Sequence, residues 1–313
     1  MPAFATHYIF LEELKDEIEK EFDMSLDYKV AGVGTQGPDI FIFHRLWPPV
    51  TIYKSLFGTA SKLHRGKPEK LFEAFAEYLK TSKNPHIARS YIYGFILHYA
   101  LDRNCHPYVY AYQNMITESN KHIHSLAAHN QVEHAVDTYL LYNRKGIYPP
   151  SLFKPEETFT NNETELNEIA ELMHFVIKKC FDKEVEKSEI VKAVTDTASL
   201  QKTLSDKTGR TTKIAKAIET PLGPVSGYFK LSASIKPRDL DLAQKYANER
   251  HKEWTSPYSH ISSNESFEEL FEKAKPDAIN LIRGFNEILE GTKTGYEVTG
   301  NISFLTGLEV TEE

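Results

Sequence analysis

Cysteine is nearly absent from this chain. Cys105 and Cys180 are its only two in 313 residues, too few for a disulfide framework and unable to build a cysteine-rich metal site. Any bound metal must therefore be held by nitrogen and oxygen. Long apolar runs are also missing. No stretch approaches the roughly 18 apolar residues that span a bilayer, and the opening MPAFATHYIFLEELKDEIEK lacks the positive and then apolar regions of a secretion signal. Together these absences predict a cytoplasmic protein with no transmembrane segment. Positive charge is not in excess: 37 Lys and Arg face 44 Asp and Glu, a formal charge of -7, so a nucleic-acid backbone finds no bulk attraction. Specific nucleic-acid binding is not expected. Alternating apolar and polar residues, the mark of a half-buried strand, are hardly found.

What is present is helical periodicity. Apolar residues recur at helical spacing over Tyr8–Phe22, Pro68–Leu79, Ile87–Asn104, Ser125–Tyr142, Glu163–Phe181, Leu240–Trp254 and Phe267–Leu289, which predicts an all-α fold. With 41% hydrophobic and 26% charged residues, the chain has an ordinary globular composition and can bury a core without a disulfide or metal staple. Residues 32–49 (GVGTQGPD, then WPP) and 146–155 (GIYPPSLFKP) carry glycine and proline that predict loops. The expected organisation is a helical, metal-binding core over residues 1–194, a Lys-, Thr-, Ser- and Gly-rich loop or lid over 195–238, and C-terminal helices over 239–313 that pack on the core.

Ten of the 13 histidines lie in the first 134 residues. In YIYGFILHYALDRNCHPYVY, His98 and Asp102 are four apart, which on a helix stacks them about 40° apart on one face, within reach of one ion. His106 follows one turn later, but Pro107 disfavours helical geometry at the residue before it, placing His106 just past the helix end. HNQVEHAVDTYLL repeats the device with His129, Glu133 and Asp137 at i, i+4 and i+8 beside an apolar face of Val132, Val136, Tyr139 and Leu140. One such pair alone is more simply explained as a solvated helix pair or a satisfied core histidine. Two within 35 residues, with carboxylates on core-facing arcs where burial without a partner costs several kcal/mol, point to metal. An adjacent His-Asp dipeptide, which HD-type phosphohydrolases use, does not occur in the chain.

These residues resemble the zinc-dependent phospholipases C and their S1/P1-nuclease relatives, whose shared motif is H-x3-D, a nearby H, then H-x3-E: here His98-x3-Asp102, His106 and His129-x3-Glu133. The resemblance covers about the first 145 residues, and upstream it matches His7, Asp39 and His64. It implies a multi-helical single-domain bundle of the phospholipase C/P1 nuclease type with a C-terminal helical extension. It further implies two or three Zn²⁺ ions, although imidazole and carboxylate also suit other divalent transition metals. Asp39, His64, His98 and Asp102 would hold one ion, with Asp102 bridging toward a second. His106, His129 and Glu133 would hold that second ion, and His7 belongs to a third position.

The chain departs from the secreted members in opening Met-Pro, where they present a metal-binding tryptophan, in a shorter Asp102-to-His106 spacing, and in Ile40, where an aromatic would help seat choline. Lipid specificity is thus not implied. The expected activity is hydrolysis of a small-molecule or lipid phosphoester, with Asp39 as general base. A nuclease-like phosphodiesterase on the same metals and a non-catalytic metal-binding helical protein are the alternatives. Asp137 and Glu118 are possible orienting partners for the histidines. Tyr91, Tyr93, Tyr108, Tyr110 and Tyr112 could wall a base or quaternary amine, and Lys202, Lys207, Arg210, Lys213 and Lys216 could meet phosphates. His44 could replace His64, while His86, His122, His124 and His134 read as surface or supporting residues.

Overall fold

The computed structural model describes residues 4–46, 54–205, 210, 213 and 235–311. Helix α1 spans Phe4–Glu21, α2 Tyr28–Gly34, α3 Phe57–Arg65, α4 Pro68–Thr81, α5 Pro85–Ser119, α6 Ser125–Lys145, α7 Glu163–Phe181 and α8 Lys187–Leu204. After these come α9 (Leu240–Tyr246), a two-residue antiparallel pair β1 (Trp254–Thr255) and β2 (Ser262–Ser263), α10 (Phe267–Glu290) and the short α11 (Gly295–Thr299). The fold is all-α, and no helix among the described residues is long and apolar enough to cross a membrane.

The hub is α5, about 50 Å long at 1.5 Å per residue, with α1, α2, α4, α6, α7 and α10 packed around it. Its apolar residues face every direction, from Ile92 and Phe95 to Leu101 and Val109, all buried, as expected of a helix buried all round. The helix does not stop before Pro107. It continues to Ser119, so His106 lies inside it and not beyond its end. Proline deprives the Arg103 carbonyl of its helical donor. The C-terminal turn packs against that gap so closely that a Cβ on Gly307 would sit 2.9 Å from the Arg103 oxygen, and tertiary packing overrides the local preference.

Three other expectations are corrected. The glycines of GVGTQGPD do not only make loop: α2 ends at Gly34, and a 3-10 turn follows over Gly37–Phe41 with Pro38 in its first turn. Gly34 and Gly94 serve a helix crossing, since Cβ atoms there would come 2.3 Å from the Tyr91 oxygen and 2.2 Å from the Ala31 oxygen. The helix expected over Leu240–Trp254 stops at Tyr246, because Trp254 begins β1 and buries its ring with its indole N–H on the Glu265 carbonyl. Residues 195–204 of the expected loop continue α8, whose buried Thr197, Gln201 and Leu204 give that turn an inner face. Apart from Arg210 and Lys213, which are helical and exposed, residues 206–234 lie outside the described residues.

Cap residues fix the outer helices. Asn162 accepts from the Thr164 and Glu165 amides to start α7, and Ser266 with Glu269 forms a capping box that starts α10. Such a cap contributes about 1 kcal/mol.

Candidate metal centre

Helix phasing builds the centre. His98, Asp102 and His106 project from one face of α5, and His129 and Glu133 face them from α6. His7 comes from α1, Asp39 from the 3-10 turn and His64 from the last turn of α3. Three groups have ligand atoms close enough for one ion each: His7, His98 and Asp102; Asp39, His64 and His98; His106, His129 and Glu133. All eight residues expected from the sequence are brought together. The position reached by His7 is not separate, because it shares His98 with the Asp39 and His64 group, and its Asp102 also lies within 3.8 Å of His64 and 3.6 Å of His106.

Asp102 is the centre of the cluster. Its oxygens lie 3.0 Å from His98 Nε2, 3.4 Å from His7 Nε2, 3.8 Å from His64 Nε2 and 3.6 Å from His106 Nδ1. Asp39 lies 3.5 Å from His64 Nε2 and 3.6 Å from His98 Nε2. Glu133 Oε1 lies 3.0 Å from His129 Nε2 and 3.6 Å from His106 Nε2. All eight side chains are buried.

Whether these residues suit a cation can be tested on the histidine tautomers. His64 Nδ1–H donates to the Ala60 carbonyl at 2.9 Å, His98 Nδ1–H to Thr35 at 3.0 Å and His106 Nδ1–H to Phe304 at 2.7 Å, while His129 pairs through Nδ1 with Gln113 Oε1 at 3.1 Å. A carbonyl oxygen can only accept, so in each neutral ring Nε2 is a lone pair directed at the carboxylates. His64 is held neutral, because burial pushes it down to about 3. Its Nε2 lone pair therefore faces the Asp39 and Asp102 oxygens with no proton between them. His98 Nε2, Asp39 Oδ2 and Asp102 Oδ2 are buried and make no hydrogen bond. Buried acceptors facing acceptors are costly, and a divalent cation resolves that conflict with the same atoms. The donor set fits zinc.

The orienting partners differ from those expected. Backbone carbonyls of Ala60, Thr35 and Phe304 and the Gln113 side chain do the work. Glu118 is exposed. Fully buried Asp137 instead accepts from the Ala5 and Thr6 amides at 3.1 and 2.8 Å and from the Thr6 hydroxyl at 2.8 Å. It thereby clamps the start of α1 beside His7. Ala60 is legible in hindsight as the residue four before His64 on one helix. Phe304, 198 positions from the ring it orients, leaves no local signal. Gly37 packs under the cluster at φ +50, where an added Cβ would sit 2.3 Å from His98 Cδ2.

The other histidines take structural places. His44 accepts from the Leu56 amide and lies 2.9 Å from Glu189, so it does not replace His64. His124 caps α6, exposed His86 contacts the Ser25 carbonyl, and His122 is exposed. His134 is buried outside the three groups. Of the five tyrosines, Tyr110 alone lines the cleft over the cluster, while Tyr91, Tyr93, Tyr108 and Tyr112 are buried. Lys202 is exposed near Glu156, and Lys207 and Lys216 lie outside the described residues.

A cavity of about 240 Å³ opens over the cluster, with Asp39, His64, His106 and His129 on its floor. Asp102 and Glu133 do not line it. A larger cleft of about 740 Å³ lies between the end of α5 and the turn after α9 and contains none of the eight residues.

Comparison with known proteins finds no match among curated proteins and none among solved structures. The family described as zinc dependent phospholipase C matches residues 6–187, more than half of the chain and every residue of the three groups. A match of that extent, on an all-α bundle that gathers the eight candidate His, Asp and Glu residues into one buried cluster, means that the chain belongs to the zinc-dependent phospholipase C family.

Proposed function

We propose that the protein is a zinc-dependent phosphoester hydrolase that uses a water activated at the His, Asp and Glu cluster. The observation that carries this reading is that the cavity reaches the ligand atoms. A purely structural site is closed by protein, whereas a catalytic one keeps a face open to substrate. The opening onto Asp39, His64, His106 and His129 therefore also favours the hydrolase over a metal-storage protein. When bound there, zinc ions would lower the pKa of a coordinated water to near 7 and offset phosphoryl charge.

The chain's own residues supply the rest. Asp39 is the general base in this reading, because it is the carboxylate of the cluster that lines the cavity. A carboxylate on the cavity wall is within reach of a water held over the cluster and can take its proton. His64, His98, His106 and His129 are held in register by their Nδ1 contacts, and Phe304 packs against Tyr99 and the rings of His64 and His98 to keep water from the inner side. The net charge of -7 makes a long nucleic acid the poorer substrate, which favours a small-molecule or lipid phosphoester.

The test is elemental analysis of the purified protein, paired with turnover of bis(p-nitrophenyl) phosphate before chelation, after it and after zinc return. Two or more ions per chain with chelator-sensitive, zinc-restored turnover is the expected result. No bound metal, even after zinc soaking, would overturn the reading.

A further inference from the structure

We infer that Arg65 selects the substrate by its charge: it receives a second anionic group, beyond the phosphoryl group at the metal cluster, and disfavours a cationic headgroup such as choline. The inference rests on the hydrolase reading of the same cavity. Arg65 directly follows His64 at the end of α3, and its side chain lines the cavity that opens over the cluster. A cation at a helix C-terminus is favourable in itself, so its sign alone says little. Its position says more. Arg45, Arg103, Arg144 and Arg283 each pair with a carboxylate, whereas Arg65 is exposed and, like Arg250, makes no ion pair or hydrogen bond with a described residue, and of these two only Arg65 lines the cavity over the cluster.

The rest of the lining agrees. Tyr110 stands beside the same opening and meets Tyr258 edge to face, with centroids 5.4 Å apart. Burial raises both phenols, and the Arg65 cation offsets part of that rise, so the guanidinium lies within electrostatic reach of the aromatic pair. A quaternary amine needs either a carboxylate or an aromatic box free of like charge. Among the described residues lining the cavity, Asp39 is the sole carboxylate, and its oxygens are turned to His64 and His98. A choline group here would meet Arg65 with no carboxylate free to offset the repulsion among the described lining residues. A carboxylate or phosphate on the same arm would find a planar, multidentate donor. The substrate class is thus a phosphodiester whose retained substituent carries its own negative charge.

The experiment compares three p-nitrophenyl phosphodiesters that share a leaving group and differ only at the far end of the other ester: 3-hydroxypropionate, 1-propanol and choline. For the zinc-loaded protein, kcat/KM should fall in that order. The carboxylate-to-choline ratio should be roughly 10- to 100-fold, the scale of one charge-assisted hydrogen bond, and should be carried mainly by KM. In Arg65→Gln the ratio should fall to within threefold of unity, Arg65→Lys should restore part of it, and Arg65→Glu should invert it. The ratio is internal to each variant, so a general loss of activity does not move it. Equal ratios in wild type and Arg65→Gln would overturn the inference and leave the hydrolase reading standing. Failure of the wild type to turn over any of the three would overturn both.

Discussion

Removing the ions should reverse how the protein's stability depends on pH. In the ion-free chain, burial pushes His106 down, but Asp102 and a hydrogen bond to Glu133 overcome it and raise the ring from 6.5 to about 9. A histidine with a raised folded-state pKa contributes stability that is fully present below its unfolded value of 6.5 and is lost as pH rises through 9. The shift of 9 minus 6.5 corresponds to roughly 3 kcal/mol at 1.36 kcal/mol per unit. His98 is raised as well and acts with the same sign. Asp39, raised from 3.8 to about 7, also costs stability as pH rises, but most of its effect lies below pH 7 and the remainder is spent by about pH 8. The lowered groups, His7, His44, His64, His129 and His134, act at and below about 6.5. The window from pH 7 to 9 is therefore dominated by the raised imidazoles, with Cys105 and Cys180, both raised by burial from 9.0, adding a smaller loss of the same sign toward its upper end. Chelated protein should lose on the order of 5–10 °C in Tm across that window. Zinc-loaded protein should hold or gain, because ligand atoms must be deprotonated and ion affinity rises with pH. The assay is scanning fluorimetry at half-unit pH steps, with and without chelator, on wild type and His106→Gln, whose ion-free slope should be shallower. A chelated Tm that is flat or rising from pH 7 to 9, or a loaded-minus-chelated gap that narrows, would refute the reasoning.

The two aspartates should separate in the same preparations. Asp39→Asn should lower kcat by roughly 10²- to 10⁴-fold, the worth of a general base, with zinc content measured by mass spectrometry nearly held, and Asp102→Asn should release at least one ion per chain; equal loss of ions and turnover in Asp39→Asn would remove its role as base. Gly37→Ala combines positive φ with a Cβ 2.3 Å from the His98 ring and should cost about 2–4 kcal/mol in chemical denaturation and weaken zinc binding at least tenfold, so a variant with wild-type stability and ion content would show that the turn does not position His98.

Much of this site is legible in the sequence because helical geometry does the arithmetic. Four-residue spacing puts His98 with Asp102 and His129 with Glu133 on shared faces without reference to anything distant. What escapes is whatever depends on long-range packing. Pro107 reads as a stop by its own chemistry, and only the turn carrying Gly307 and Phe304 explains why α5 continues. The Gly34 and Gly94 pair reads as loop and as helix interior respectively, until two helices are brought to crossing distance. Asp137 sits on the same i+4 series as His129 and Glu133, and periodicity alone cannot tell a ligand from a clamp.

That last ambiguity has a physical resolution that ties the centre together. A carboxylate that already accepts three hydrogen bonds from Ala5 and Thr6 and lies 3.2 Å from Lys236 has little lone-pair capacity left for an ion. Asp102, surrounded at 3.0 to 3.8 Å by four imidazoles, has no donor for Oδ2 other than protons that a cation would displace. The two aspartates thus divide by what has already satisfied them. α6 contributes Glu133 to one ion group and, one turn on, holds in place the helix that carries His7 to another. The C-terminal residues act from the opposite side, where the Phe304 carbonyl fixes His106 and its ring packs on His98. The cluster is therefore assembled between the family-matched helices and a segment beyond them, and disturbing Phe304 should be felt at both His98 and His106.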